Sequence, residues 1–123
     1  MNPIKKVPQS NYDSLPRSNA VTGCPLTAAL AAIGGKWKLI IVYLLSESPR
    51  HFAALRREMP GISQKVLTQQ LRELIADRIV QRRSNGPVPA PVEYSLTEYG
   101  RSLLPLVEAI RLWGHRHMEQ MND

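Results

Sequence analysis

Residues 61–74 have the sequence GISQKVLTQQLREL, and this stretch decides the fold. Ser63 is a favourable N-cap residue, and the leucines that follow recur at the spacing of one helix face, which predicts a helix from Ser63 to about Asp77. The predicted buried stripe consists of Leu67, Leu71 and Leu74. The opposite face is polar, as a helix that enters the major groove of DNA requires. The candidate DNA-binding residues of this helix are Ser63, Gln64, Lys65, Thr68, Gln69 and Arg72.

The residue types on this polar face suit the recognition of bases. Glutamine can form paired hydrogen bonds with adenine, lysine and arginine can reach guanine, and the threonine methyl group can contact the methyl group of thymine. The amides at the start of the helix, near Ser63, favour a backbone phosphate. An ordinary amphipathic helix with a solvated polar side is the alternative that this pattern leaves open.

Downstream of this helix, the sequence predicts a two-stranded hairpin over residues 79–83 and 92–96. Asn85-Gly86 marks a turn, and the prolines that follow stiffen the tip of the loop. Arg82 and Arg83 end the first strand, where they can reach the DNA backbone or the minor groove. A strand edge that is charged to prevent aggregation is the competing interpretation.

The remaining segments are predicted to be helical. Three helices lie upstream, over about 25–33, 37–45 and 52–59, and the second is apolar nearly all round, which predicts that it is buried. A last helix from Thr97 to about Gln120 is predicted to kink at Pro105. Its apolar positions are too widespread for one buried stripe, so we expect a second subunit to cover part of them. The predicted fold is mainly α with a small β-hairpin, in the order of a winged helix-turn-helix.

Length and charge restrict the classes of function. The chain has 123 residues and a net charge of +6, and residues 50–83 carry eight basic and three acidic side chains. A local basic surface favours a polyanion such as nucleic acid, and a face kept basic for solubility is the alternative. The longest apolar run, residues 39–45, is too short to span a membrane, which predicts a soluble, cytoplasmic protein. We expect residues 1–20 to form a flexible tail and residues 21–123 to form one domain.

The sequence contains no pattern typical of a metal site or of catalysis. His115 and His117 are two residues apart and diverge on a helix, and His51 lies elsewhere in the chain. Cys24 is the single cysteine, which excludes a multi-cysteine metal site. No nucleophile with an adjacent base and no phosphate-binding loop stands out. We therefore expect no cofactor, no metal and no enzymatic activity.

Five segments of the sequence together resemble the HxlR-type regulators. They are residues 24–26, 33–37, 52–57, 61–74 and 92–100, which read CPL, IGGKW, FAALRR, GISQKVLTQQLREL and VEYSLTEYG. The resemblance implies a homodimeric bacterial or archaeal transcription factor with a winged helix-turn-helix fold, whose first and last helices form the dimer. The family usually has a glycine where this chain has Arg78. The implied dimer-interface residues are Leu26, Leu30, Leu106, Ile110 and Trp113.

Cys24 has two interpretations. Some family members resemble sensors that use a cysteine directly before the first helix against oxidants or electrophiles, and a helix N-terminus lowers the pKa of a thiol. The alternative is a small apolar residue packed at the dimer interface.

The function expected from the sequence is that of a homodimeric regulator that binds double-stranded DNA at a pseudo-palindromic operator, with no membrane partner. Two classes of effector stay open, an electrophile at Cys24 and a small molecule between the dimer helices. The competing function is a winged-helix module whose basic face docks an acidic protein.

Overall fold

The computed structural model describes residues 23–84, 86–87 and 91–122. The expected flexible tail, residues 1–20, lies outside the described residues, as do Asn85 of the predicted turn and most of the proline-rich loop tip. The described residues nevertheless include every helix and strand expected from the sequence.

Helices dominate the described chain, which also forms one small antiparallel sheet. This architecture confirms the predicted fold class. The elements are α1 (Pro25–Ile33), α2 (Lys38–Glu47), β1 (Arg50–His51), α3 (Phe52–Arg57), α4 (Gln64–Ala76), β2 (Val80–Ser84), β3 (Val92–Leu96), α5 (Glu98–Arg101) and α6 (Leu104–Met121).

The sheet has three strands in the order β1-β3-β2, so the prediction of a two-stranded hairpin is incomplete. Arg50 pairs with Tyr94 and His51 with Glu93, which adds β1 to the free edge of β3. His51 Nδ1 also lies 2.9 Å from the carbonyl oxygen of Val92. A strand of two residues is too short to show the alternation from which strands are predicted. Its pairing is made by backbone groups, which leave no mark in the sequence.

The core forms where α4 packs against the other elements. The leucine stripe of α4 is fully buried, as predicted, since Leu67, Leu71 and Leu74 are at most 2% exposed. The other buried apolar residues of this core are Ile33, Ile41, Val42, Leu45, Leu55, Met59, Ile62, Ile79, Val80, Leu96 and Val107.

The prediction that α2 is buried holds for one face of the helix only. Ile41, Val42 and Leu45 lie in the core, whereas Ile40 and Tyr43 are exposed. The seven-residue apolar run has no polar face that would have shown which side contacts solvent. Among the described residues no single helix is long and apolar enough to span a membrane, although α1 and α2, bent by 71°, together pass the same test.

The predicted last helix is two helices rather than one kinked helix. The first, α5, ends at Arg101, and Pro105 lies in the first turn of α6. Proline is tolerated there because the N–H that it lacks would have no partner in the first turn of a helix. Pro105 therefore starts a new helix instead of bending an old one.

Candidate nucleic-acid interface

The N-terminus of α4 is defined by a side-chain cap. Ser63 has an extended backbone, and its Oγ accepts a hydrogen bond from the Val66 N–H at 3.0 Å. Gly61, with φ 92°, turns the chain immediately before the cap, and the buried Ile62 anchors the turn in the core. The Ser63 cap and the buried Ile62 therefore both fix the position of the first turn of α4.

Five of the six residues predicted on this helix line one shallow surface groove. We call this surface the α4 groove, and its members are Gln64, Lys65, Thr68, Gln69 and Arg72. Thr68 is half-buried and the other four are exposed. The structure therefore brings together the amide, ammonium, hydroxyl and guanidinium groups that can contact base edges and phosphates.

One member of the α4 groove is tied to the protein interior. Gln69 Nε2 donates a hydrogen bond to Glu73 Oε2 at 2.7 Å, and Glu73 Oε1 lies 2.6 Å from the Nζ of Lys38 on α2. The sequence alone indicates no role for Lys38 or Glu73. Their proximity could not be predicted, because the two residues belong to different helices.

A second groove adjoins the first and was not predicted. Phe52, Ala53, Arg56 and Arg57 of α3 line it together with Gln64 of α4. Arg56 Nε donates to the carbonyl oxygen of Ile62 at 3.4 Å, which ties α3 to the turn before α4. The adjacent Arg56 and Arg57 could have predicted this groove from the sequence, since the helix before a recognition helix crosses the DNA backbone in helix-turn-helix proteins.

The wing arginines are exposed but do not share a face of the sheet. Arg82 lies opposite Tyr94, and Arg83 lies opposite Glu93 in the ladder between β2 and β3. Successive side chains of a strand point to opposite faces, so the two guanidinium groups leave the wing in opposite directions. Within the described part of the chain, neither arginine forms an ion pair with a carboxylate.

Cys24 is the N-cap of α1. Its Sγ accepts a hydrogen bond from the Thr27 N–H at 3.4 Å, and the residue is half-buried beside a shallow depression formed with Gly23, Pro25 and Ala28. The pKa of the Cys24 thiol is lowered, first by the Thr27 hydroxyl and then by the Thr27 backbone N–H, because both stabilise the thiolate. The thiol is therefore accessible and has more anionic character than an ordinary cysteine.

The expected dimer residues lie on an uncovered apolar surface of α1 and α6. Leu26 is 62% exposed and Trp113 is 59% exposed, and Leu106 and Ile110 are also exposed, whereas Leu30 is half-buried. Val107 is the one buried residue in the 18 residues of α6. Further large apolar residues of α5 and α6 are exposed and are not among the predicted interface residues: Tyr99, Leu112, Met118 and Met121.

Each of the three histidines has a different contact. His51 contacts β3, His115 Nε2 lies 3.1 Å from Arg111, and His117 stacks on Trp113 with ring centroids 5.0 Å apart. Among the described residues, no group of three metal-ligating side chains converges on one point.

Comparison with known proteins identifies one family. The model of the HxlR-like helix-turn-helix family matches residues 32–122, which include α2 to α6. The HTH-type transcriptional regulator YybR of Bacillus subtilis (strain 168) is 47% identical over 101 residues, which cover 82% of this chain and 81% of YybR.

Solved structures agree with this comparison. The oxidized form of the redox regulator HypR is 48% identical and superimposes with a TM-score of 0.72, covering 76% of this chain and 96% of HypR. The reduced form of the transcriptional regulator YodB from B. subtilis is 32% identical, with a TM-score of 0.66, and covers 75% of this chain and 91% of YodB.

Proposed function

Because the chain belongs to the HxlR-like helix-turn-helix family, it is a transcriptional regulator and not an enzyme, and we propose that it binds a pseudo-palindromic DNA operator as a homodimer. The α4 groove is the observation that carries this proposal. It presents side chains suited to base edges on a helix that is capped at one end and packed on the core along its other face. Such a helix fits the major groove of DNA.

The neighbouring basic residues are proposed to contact the DNA backbone. Arg56 and Arg57 lie beside the start of α4, and Arg82 and Arg83 extend from the wing. Phosphate contacts set the position of the protein on DNA and release counterions, so the affinity falls steeply as salt rises.

The exposed apolar face of α6 supports the homodimer. Only one of the 18 residues of this helix is buried in the single chain, and an exposed apolar face of this kind is typical of an interaction surface. Pairing α1 and α6 with the same helices of a second copy covers Leu106, Ile110 and Trp113 by two-fold symmetry. In the proposed dimer, we expect the two α4 helices to contact half-sites about 34 Å apart, one turn of the DNA helix.

Cys24 is proposed to sense an oxidant or an electrophile. Its support is the half-buried, capping thiol with a lowered pKa, together with the likeness to HypR, a redox regulator. With an electrophile such as a quinone, the thiolate sulfur forms a bond to an electron-poor carbon, and the electron pair displaced there takes a proton from water. Because α1 belongs to the proposed dimer surface, an adduct at its first turn changes the packing of the two subunits.

The experiment that tests this function is a selection of bound sequences from random DNA, followed by fluorescence anisotropy across a salt series. We expect a consensus of two inverted half-sites and a preference of about a thousandfold over scrambled DNA. Chromosomal DNA as the partner implies action in the cytoplasm. Binding without any consensus would overturn the proposal and favour docking of an acidic protein on the same basic face.

A further inference from the structure

A chain of contacts joins the protein core to the α4 groove. The Lys38 side chain is 4% exposed, and its Nζ lies 2.6 Å from Oε1 of Glu73. The other oxygen of this carboxylate accepts the hydrogen bond from Gln69 Nε2 at 2.7 Å. The Glu73 side chain is 11% exposed, whereas Gln69 is exposed. One carboxylate therefore connects a buried ammonium group with an amide that lies at the surface.

This arrangement determines which side of the Gln69 amide faces Glu73. An ionised carboxylate only accepts hydrogen bonds, so it can hold the nitrogen of the amide but not its oxygen. A glutamine recognises adenine through its oxygen and one N–H together, and these two groups must lie on the correct sides. An amide held in one orientation avoids the entropy cost of being ordered when the protein binds DNA.

We infer that Lys38 and Glu73 are positioning residues that set the base preference of Gln69 without touching DNA. The inference rests on the proposed function, since it requires that Gln69 contacts a base. Lys38 compensates the charge of a nearly buried carboxylate. Without Lys38, the carboxyl group would take up a proton or turn to solvent. A protonated Glu73 can donate to the oxygen of Gln69, which permits the inverted amide.

The first test needs no DNA. In the nuclear magnetic resonance spectrum of the free protein, one of the two side-chain N–H protons of Gln69 is expected at an unusually high chemical shift, because it is hydrogen-bonded to a carboxylate. Lys38→Met and Glu73→Gln should both shift these signals. Glu119→Gln, which removes an exposed carboxylate of α6, should leave them unchanged. Gln69 signals that are the same in all four proteins would overturn the inference.

The second test measures affinity for operators that differ at single base pairs. Glu73→Gln should lose about tenfold in discrimination, and only at the base pairs where Gln69→Ala also loses it. The double variant Lys38→Met/Glu73→Gln should lose discrimination at the same base pairs as Glu73→Gln. It leaves no buried charge without a partner. Partial unfolding cannot imitate this result, because it weakens binding to all operators by the same factor.

Three outcomes of the second test separate the inference from the proposed function. A wild-type protein without any base preference overturns the proposed function and the inference together. A wild-type preference that Glu73→Gln leaves intact at the positions sensitive to Gln69 overturns the inference alone. A base preference that Gln69→Ala does not alter also overturns the inference alone.

Discussion

The carbonyl oxygen of Arg78 accepts a 2.6 Å hydrogen bond from the Thr97 hydroxyl, and Arg78 has the left-handed backbone angle φ 63°. The next carbonyl oxygen, that of Ile79, accepts the Thr97 N–H at 3.0 Å. Thr97 thus holds the turn between α4 and β2 while it caps α5 through the Gly100 N–H. Glycine, which the family resemblance implies at the position of Arg78, adopts such an angle without steric cost.

Arg78→Gly is therefore expected to stabilise the protein. A residue with a Cβ loses about 1 kcal/mol in the left-handed region, and glycine avoids most of that loss. The free energy of unfolding from urea titration should rise by up to about 1 kcal/mol. Gly100→Ala is the contrasting change, since its Cβ would overlap the Ile79 carbonyl oxygen, and it should cost about 2 kcal/mol. Loss of stability in Arg78→Gly would contradict this account of the turn.

Arg72→Ala and the wing variants should affect DNA binding in different ways. Arg72 lies in the α4 groove, so its loss should reduce discrimination between sequences by about tenfold or more. Arg82→Ala/Arg83→Ala should weaken binding to all sequences alike and flatten the salt dependence. One of the two single wing variants should account for most of the double variant's loss, because the side chains point to opposite faces of the sheet.

Anisotropy titrations with the operator and with scrambled DNA, each at several salt concentrations, measure both effects. Arg101→Ala, an exposed arginine of α5, is the matched control for removing one positive charge. A double wing variant that binds like the wild-type protein at moderate salt would remove the wing from the interface.

The reactivity of Cys24 should depend on the Thr27 hydroxyl. A lowered pKa means that the thiolate persists to lower pH, so alkylation of the wild-type protein should reach half its maximal rate below the pH of an ordinary thiol. Thr27→Val removes the hydroxyl but keeps the backbone N–H, and it should move this midpoint upward. Thr27→Ser keeps both donors and serves as the control. Equal midpoints in all three proteins would show that the hydroxyl has no such effect.

A charge placed on α6 should separate the subunits. Ile110 is 45% exposed in the single chain, and Ile110→Glu would bury a carboxylate at the proposed dimer interface. Sedimentation velocity should then show a monomer, and the operator affinity should fall by at least about a hundredfold as the second half-site is lost. Gln120→Glu, an exposed change on the same helix, should leave the dimer intact. A dimer that survives Ile110→Glu would exclude this face.

Local patterns were sufficient where an element is determined by neighbouring residues. The cap at Ser63, the buried Leu67 and Leu71, and the polar α4 groove all follow from helical spacing, and the structure agrees with each. Spacing along the chain also separates Arg82 from Arg83, although the prediction treated them as a pair. These features need only the geometry of one helix or one strand.

The amino-acid sequence by itself determined the order of elements and the polar face of α4, because periodicity and caps act within a few residues. The tertiary structure decided the rest. It paired β1 with β3, began α6 at Pro105, and brought Lys38 to Glu73. These contacts join segments distant in the chain, and their geometry depends on how the core packs rather than on any local repeat.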